Sequence, residues 1–377
     1  MGTKPDATQN VATLEFDPER NELGKDKRLR DGLSVAVQIG DNLWLANDET
    51  ISLERLTRLA DDGQGACRYG RHRQFPLNDY LALPVPPADD PADLEEVDIE
   101  GLASAGGYLW LVGSHSLKRK NPKPGDDPDK ARKQLAKVRS DGNRYLLARI
   151  PLVDSDGACE PAKRSKQDGQ ELFAASLEGD DKGNELTAAL KNDKHLGPFL
   201  AIPGKDNGFD IEGLAVVGER ILLGLRGPVL RGWAVILEVA VIADATASTL
   251  RLQPIGPKER LYRKHFLQLG GLGIRDLCVQ GDDLLILAGP TMELDGPVSV
   301  FRWPGGSSPD DEAMVPADAL QRVLEVPYGE GVDHAEGMTL FAPDGGEASA
   351  LLMVYDAAAE ERKSGKSAVT ADVFKLA

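Results

Sequence analysis

One short phrase recurs along this chain and constrains its fold more than any other feature. Residues 98–113 read DIEGLASAGGYLWLVG and residues 210–224 read DIEGLAVVGERILLG. Weaker copies occupy residues 33–46, 274–289 and 334–354. Each copy is a short apolar segment, a turn rich in Gly and Asp, and a second apolar segment, which is the pattern of a β-hairpin.

The spacing of the copies predicts an all-β fold, the β-propeller. Equivalent positions lie 61–66 residues apart, except across one gap of 112 residues. Hairpin repeats of this period are typical of propeller blades, and each unit has room for two outer strands. In the third copy we expect these to be Trp233–Val241 and Leu250–Pro254. The strand-like segment Val11–Phe16 precedes the first copy, so we expect it to supply the outer strand of the last blade and close the ring.

The 112-residue gap leaves the number of blades open. Two blades of about 56 residues would fit there and give six in all. The middle of the gap is instead charged, with short helices predicted over residues 129–139 and 184–194. We favour five blades, with residues 1–377 forming a single domain and residues 117–142 and 155–205 forming insertions in blade 2.

Composition disfavours several classes of partner. The chain has 377 residues, with 61 Asp and Glu against 44 Lys and Arg and a net charge of −17. Such an acidic surface repels phosphate backbones and anionic lipids, so we expect neither nucleic acid nor a membrane as the main partner. No apolar run approaches the roughly 20 residues that cross a bilayer, and residues 1–10 lack a secretory pattern, which favours a cytoplasmic location. Three isolated cysteines, Cys67, Cys159 and Cys278, fit a reducing compartment.

The repeats also predict where a functional site lies. In a propeller blade the start of the first strand and the end of the second strand meet at the same mouth of the central channel. Around these two positions most copies carry charged residues or histidine, of which the acids of the two DIEG copies are repeated and the others differ from copy to copy. We therefore expect the following side chains to converge on one mouth: Asp48, Asp98, Glu100, His115, Asp210, Glu212, Arg226, Arg275, His334 and Glu336.

These residue types allow several kinds of chemistry. Clustered carboxylates either hold protons at a raised pKa or bind a cation, and Ca²⁺ or Mg²⁺ would suit such oxygen ligands. The predicted metal ligands are Asp48, Asp98, Glu100, Asp210, Glu212 and Glu336. We expect His115 and His334 to act as acid or base, and Arg226 and Arg275 to hold an anionic substrate.

A structural role is the alternative for the repeated carboxylates. An acidic residue before a glycine at a strand start often accepts backbone hydrogen bonds and joins neighbouring blades. Glu100 and Glu212 stand in nearly identical copies, which suits that role equally well. The remaining histidines, His72, His195 and His265, lie in polar segments outside the hairpins, so we expect them at the surface.

Several motifs resemble those of a known family. DIEGLA followed by GSHS, with LWLANDE near the N-terminus and HAEGM near the C-terminus, resembles a bacterial family of propeller proteins described as a domain of unknown function. The resemblance runs from about Leu33 to Asp356. The D-x-E-G strand starts are also distantly similar to those of esterase-like phytase propellers. That similarity implies a propeller fold and phosphate-ester chemistry aided by a divalent cation.

Two functions stay open at this point. In the first, the chain is a hydrolase of phosphate or other esters, assisted by a divalent cation at the acidic mouth. In the second, it is a non-catalytic propeller that binds a small molecule or a protein at the same mouth, with the insertion as a recognition element.

Overall fold

The computed structural model describes residues 10–24, 27–60, 67–88, 95–123, 125–155, 158–244, 248–292 and 294–376. β-strands dominate this part of the chain. Its two α-helices are Pro128–Leu135 and Glu185–Leu190. Both lie in the predicted insertions, and both are shorter than predicted. In the described ranges, no helix has the length and apolar character needed to span a membrane.

The described strands pair in sheets of nine, eleven and four strands and in smaller ones. Within these sheets we distinguish five antiparallel groups of four strands, called units below. In every unit the first two strands are the hairpin of one sequence repeat. The first unit contains Leu33–Ile39, Asn42–Asn47, Ser52–Arg58 and Cys67–Pro76. The second contains Ile99–Ala105, Tyr108–Gly113, Leu147–Ser155 and Ala175–Leu177.

The other three units repeat this arrangement. The third contains Asp210–Val217, Arg220–Gly227, Trp233–Ala243 and Arg263–Gln268. The fourth contains Gly273–Gln280, Asp283–Gly289, Val298–Trp303 and Gln321–Val326. The fifth contains His334–Phe341, Ala350–Asp356, Ala368–Lys375 and Asn10–Glu15.

Short strands decorate these units. They are Glu22–Gly24, Lys27–Arg28, Lys118–Arg119, Val138–Arg139, Ala158–Pro161, Arg164–Gln167, Gln170–Phe173, Gly179–Asp180, Gly183–Asn184, Thr249–Leu252, Met314–Val315 and Lys363–Ser364.

The units stand in a ring. We call the first strand of each unit its inner strand. The inner strand of each unit contacts the inner strand of the next, and the inner strand of the fifth unit contacts that of the first. Buried apolar residues form layers between the faces of adjacent units, as between Trp44 of the first unit and Leu109 of the second. Propellers are stabilised in this way, because each sheet buries both faces against its neighbours.

The N-terminal strand joins the two ends of the described chain. Asn10–Glu15 pairs antiparallel with Ala368–Lys375 over its whole length. It also pairs in parallel with the start of Cys67–Pro76 in the first unit. This is the pairing expected for the N-terminal segment, and it covers the outer edge of both units.

The outer strand of the third unit differs from the prediction. Arg263–Gln268 takes that place, whereas Thr249–Leu252 pairs with the end of Trp233–Ala243 and with Ala175–Leu177 of the second unit. The reason is the length of Trp233–Ala243, whose 11 residues extend beyond its own unit. The predicted strand Leu250–Pro254 therefore bridges two units.

The glycine of the repeated phrase is required by the close approach of inner strands. A Cβ on Gly101 would lie 2.5 Å from the Cβ of Leu214 in the next unit, and a Cβ on Gly337 would lie 2.6 Å from the Cα of Val35. Contacts this short cannot be accommodated without moving a strand.

We expect Gly337→Ala to destabilise the fold by about 1–3 kcal/mol, because the new methyl group meets backbone atoms that cannot rotate away. Gly346→Ala is the control, since nothing lies within 4 Å of its added Cβ. Urea unfolding of both variants measures the difference. Equal stabilities would contradict the close packing of these inner strands.

Two histidines expected at the surface are buried. His72 accepts a hydrogen bond at Nδ1 from the Asp17 amide (3.1 Å), and its Nε2 lies 2.6 Å from Glu54 Oε2. His265, with 0% exposure, pairs in the same way with Glu238 at 3.1 Å. The prediction was wrong because both histidines lie on outer strands rich in polar residues, so the sequence pattern did not show that one face of each strand is buried. The third, His195, is exposed as expected.

Candidate functional site

A β-bulge opens the inner strand of every unit. At each start, one residue is skipped in the pairing between the first and second strands, for example between Ile99 and Gly101. Such bulges turn a side chain out of the regular pleat, and they are common beside functional sites. The skipped residues are Ser34, Glu100, Glu212, Arg275 and Glu336.

Glu212 is held by two arginines. Arg226 Nη1 donates to Glu212 Oε1 at 2.7 Å, and Arg275 Nη1 donates to Glu212 Oε2 at 3.2 Å. Arg275 also donates to Glu336 Oε1 at 2.8 Å. Glu212, Arg226 and Arg275 are 2%, 6% and 7% exposed, so this is a buried charge network that spans the third, fourth and fifth units.

Both arginines have further partners in the backbone. Arg226 Nε donates to the Thr291 carbonyl at 2.9 Å, and Arg275 Nη2 donates to the Pro290 carbonyl at 3.1 Å. Carboxylates and carbonyls thus occupy several guanidinium donors. These contacts fix the arginines as braces between units.

A second charge network surrounds Arg144. Its Nη1 lies 2.7 Å from Asp98 Oδ2, and its Nη2 donates to Glu96 Oε1 at 3.1 Å. Lys118 Nζ donates to the same Glu96 oxygen at 2.6 Å. Asp98 is therefore neutralised by a residue that follows the charged insertion.

Three carboxyl groups at the mouth accept no hydrogen bond from a cationic side chain in the described part of the chain. Within the described ranges, Asp48 and Glu100 make no hydrogen bond or ion pair. Asp210 makes no hydrogen bond to a described residue, and its nearest guanidinium nitrogen, Arg226 Nη1, is 4.0 Å away. We call Asp48, Glu100 and Asp210 the acidic trio.

The surroundings of the acidic trio favour the protonated acids. Burial raises the pKa of Asp48 and Glu100 well above the usual range, and nearby carboxylates, foremost Asp356 for Asp48 and Asp98 for Glu100, raise it further. Burial likewise raises the pKa of Asp210 to about 7, against the opposing effect of Arg226. A cation bound here would replace protons.

Glu336 has a similar environment. Burial raises its pKa to about 8, with the carboxylate of Asp356 adding to the shift and Arg275 opposing it. Asp356 itself accepts a hydrogen bond from the Ala357 amide at 2.7 Å. It lies beside Asp48, because one oxygen of each is 3.4 Å from the position of a Cβ on Gly32.

The acidic trio lines a cavity of about 270 Å³ at the mouth of the ring. A second cavity of about 400 Å³ adjoins it. The two share four lining residues, Lys205, Arg226, Glu336 and Asp356. The mouth therefore holds two adjoining cavities, and the residues that they share carry both signs of charge.

Most of the predicted site residues meet at this mouth. Asp48, Asp98, Glu100, Asp210, Arg226 and Glu336 line the first cavity. Arg275 and His334 line the second cavity, and His334 Nε2 lies 3.2 Å from Asp295 Oδ1. Glu212 lies behind them, bound to the arginines.

His115 is placed elsewhere. Its ring is 3% exposed and lies between the Gly113 carbonyl, 2.8 Å from Nδ1, and the Asn184 amide, 2.7 Å from Nε2. Burial lowers the pKa of His115 to about 4. The ring is a neutral link between the second unit and the helix Glu185–Leu190, and it does not line either cavity.

The backbone hydrogen bonds foreseen for the repeated acids are accepted by another residue, while Glu212 joins units through its arginines. Asp276 is 1% exposed and accepts hydrogen bonds from the amides of Leu277 and Met338, both at 2.7 Å. It joins the fourth inner strand to the fifth. Ser34 Oγ similarly donates to the Ile99 carbonyl at 2.6 Å and joins the first unit to the second.

Sequence reasoning missed several residues of the mouth. Glu96, Arg144 and Lys205 come from segments between the repeats, so no equivalent position in another copy drew attention to them. Asp356 differs from these three, because it ends a repeat hairpin at the position of Asp48 and Arg226 and the repeat therefore places it at the mouth.

The carboxyl groups of the mouth do not form a preorganised metal site among the described residues. Among the described residues, no group of three or more His, Cys, Asp or Glu side chains is arranged to hold a metal ion. Three of the six predicted ligands, Asp98, Glu212 and Glu336, are held by arginine instead.

Fold and site together define a class: a mostly β, propeller-like protein whose ring carries a charged cavity at one mouth. The chain belongs to the family described as "Protein of unknown function (DUF3616)", which matches residues 32–372. No curated protein matches the chain significantly.

Solved propeller structures are similar to the chain in fold. Glutaminyl cyclase of Myxococcus xanthus is 9% identical, with a TM-score of 0.38 over 98% of this chain and 100% of that one. The PQQ-bound aldose sugar dehydrogenase of Streptomyces coelicolor is 10% identical, with a TM-score of 0.37 over 98% and 97%. Chaetomium thermophilum Sqt1, bound to the N-terminus of ribosomal protein L10, is 13% identical, with a TM-score of 0.31 over 93% and 85%.

Proposed function

We propose that the five units are the blades of a closed five-bladed propeller, and that its acidic mouth binds a small organic ligand through a cationic group. One observation carries the proposal. The acidic trio faces the cavity without a hydrogen-bonded cation among the described residues, while neighbouring carboxylates are neutralised by arginine. A ligand cation would supply the missing charge.

An ammonium group fits the acidic trio chemically. It is a compact charge with several N–H donors, and charge-assisted hydrogen bonds to carboxylates are among the strongest in proteins. Binding would favour the ionised form of Asp48, Glu100 and Asp210, so protons would leave the site as the ligand enters. Lys205 and Arg226 on the shared wall would repel a second cation and so orient the ligand.

The divalent cation expected from the sequence finds less support from the contacts. A metal bound by Glu212 would have to compete with two guanidinium groups at 2.7 and 3.2 Å. Only Asp48 and Glu100 of the six predicted ligands are without an ion pair in the described part of the chain. Ca²⁺ takes about six to eight oxygen ligands, so waters or carbonyls would have to supply those that these two carboxylates do not.

A cation-assisted hydrolase of phosphate or other esters is the second candidate. The observation that favours it is the presence of Lys205 and Arg226 beside the acidic trio in one cavity, where they could hold a phosphate next to carboxylic acids. Hydrolysis of p-nitrophenyl phosphate and p-nitrophenyl acetate with Mg²⁺, Ca²⁺ and Mn²⁺ tests it. This candidate requires turnover that depends on the cation and is lost in Glu100→Gln.

We expect methylammonium to stabilise the protein and Glu100→Gln to weaken that binding at least about tenfold, because a charge-assisted hydrogen bond is lost. A thermal-shift titration at constant ionic strength measures both. A ligand at 100 times its Kd contributes about 2.7 kcal/mol. Mg²⁺, Ca²⁺, Mn²⁺ and a chelator form parallel arms.

Asp129→Asn is the control, since this side chain is 78% exposed on the helix Pro128–Leu135. It should bind methylammonium like the unmodified chain. Stabilisation by a divalent cation without any response to methylammonium would favour the second candidate and contradict the first.

A further inference from the structure

Exposed apolar side chains form part of the lining of the second cavity. Met292, Leu294 and Tyr328 line it and are 44%, 60% and 44% exposed. Pro290 and Val298 extend the same wall. Single exposed apolar residues are ordinary, but several that line one concave space mark a binding surface.

This apolar wall adjoins the acidic cavity. The two cavities share Lys205, Arg226, Glu336 and Asp356, so a ligand can extend from one to the other. On the acidic side, Asp210 is only 4% exposed, lines the cavity and has no hydrogen-bonding partner in the described part of the chain. A buried carboxylate without a hydrogen bond is costly, which itself points to a missing donor.

We propose that the ligand is an amphiphilic organic cation, an alkylammonium or arylalkylammonium ion. Its ammonium group lies against the acidic trio, and its apolar part packs on Met292, Leu294 and Tyr328. This inference rests on the proposed function and adds the chemical class of the ligand. The carboxyl groups of the acidic trio favour a cationic head group, and the exposed apolar side chains of the second cavity favour an apolar tail.

The charges around the two cavities disfavour an amphiphile with an anionic head group. Eight carboxyl and five cationic side chains line the first cavity. Four of the cationic ones, Lys118, Arg119, Arg144 and Arg226, already donate to carboxylates. A carboxylate or sulfate head group there would lie against the acidic trio. Lys205 and Arg226 sit at the boundary between the cavities, so an anionic head held there would leave the acidic trio without a partner.

A series of n-alkylammonium ions from methyl to octyl tests the proposal by isothermal titration at fixed pH and ionic strength. We expect affinity to rise about three- to fourfold for each methylene that reaches the wall, and then to level off. A matched series of n-alkyl sulfates should bind at least about tenfold more weakly at each length, because the head group is repelled.

Two variants separate the parts of the site. Met292→Ser with Leu294→Ser changes exposed side chains, so the fold should persist, and it should flatten the series while methylammonium binds as before. Glu100→Gln should weaken every member by a similar factor.

The outcomes distinguish the proposal of an amphiphilic ligand from the proposal of a cation-binding site. A flat series with methylammonium binding intact would overturn the amphiphile but leave the cationic site. An unchanged slope in the double variant would also overturn it. Absence of binding by methylammonium and by every longer ion would overturn the proposed function itself.

Discussion

Glu212→Gln is expected to destabilise the protein by about 3–5 kcal/mol, whereas Glu100→Gln should leave its stability almost unchanged. Both residues stand at the same place in the phrase DIEGLA, and both are skipped by a β-bulge. Their surroundings differ. Glu212 neutralises Arg226 and Arg275, which are nearly buried, so its loss leaves two guanidinium groups without that partner.

Glu100 has no ion pair to lose within the described ranges, and its neighbours include the carboxylates Asp98 and Glu212. Because burial and these neighbours raise the pKa of Glu100 well above its usual range, Gln replaces a group that already favours the neutral form. Urea unfolding at pH 7 measures the free energy of unfolding of each variant, and unchanged m-values would confirm that the folded states are comparable. Equal losses in the two variants would show that the repeated glutamates share one structural role and would contradict our assignment of the site.

The stability of the ligand-free protein should fall as the pH rises, in part because of Asp210. Its pKa in the folded protein, about 7, lies above the ordinary value of 3.8. The folded state therefore keeps a proton that the unfolded chain loses. The resulting stabilisation is full below about pH 4 and is lost as the pH rises through 7.

Asp210→Asn removes this titration. Relative to the unmodified chain, the variant should gain about 1 kcal/mol per pH unit between pH 4 and 7, and nothing further well above pH 7. The variant and the unmodified chain are compared at each pH because His115 titrates as well. Burial lowers the pKa of His115 to about 4, so its contribution makes the stability rise with pH between about 4 and 6.5. Chemical unfolding at half-unit intervals gives the curve.

A stability difference that stays constant with pH would contradict the buried, protonated state of Asp210. Saturating methylammonium provides an internal check, because a bound cation favours the ionised carboxylate. The slope attributable to Asp210 should become shallower in its presence.

The fold was largely predictable from the sequence because the repeat is local. A hairpin carries its own turn and its own apolar alternation, so the copies identified the inner strands of all five units. The N-terminal strand was predictable by elimination. The place of Thr249–Leu252 was not, because it depends on how far Trp233–Ala243 extends past its unit.

The meeting of the site residues at one mouth was more predictable than their contacts with one another. Aligning the copies placed Glu100, Glu212, Arg275 and Glu336 at equivalent points, and the bulges confirm that equivalence. The pairing of Arg226 and Arg275 with Glu212 depends on side chains reaching between units, which periodicity does not encode. The same holds for Arg144, which neutralises Asp98 from outside the repeats.

The most direct test of the cationic site is a crystal structure of the chain grown with both hexylammonium and Mg²⁺. Our account predicts the ammonium nitrogen within about 3.2 Å of an oxygen of Asp48, Glu100 or Asp210, with the contacts of Glu212 to Arg226 and Arg275 intact. A Mg²⁺ ion bound by Glu212 with its arginines displaced, and no ammonium at the acidic trio, would contradict it.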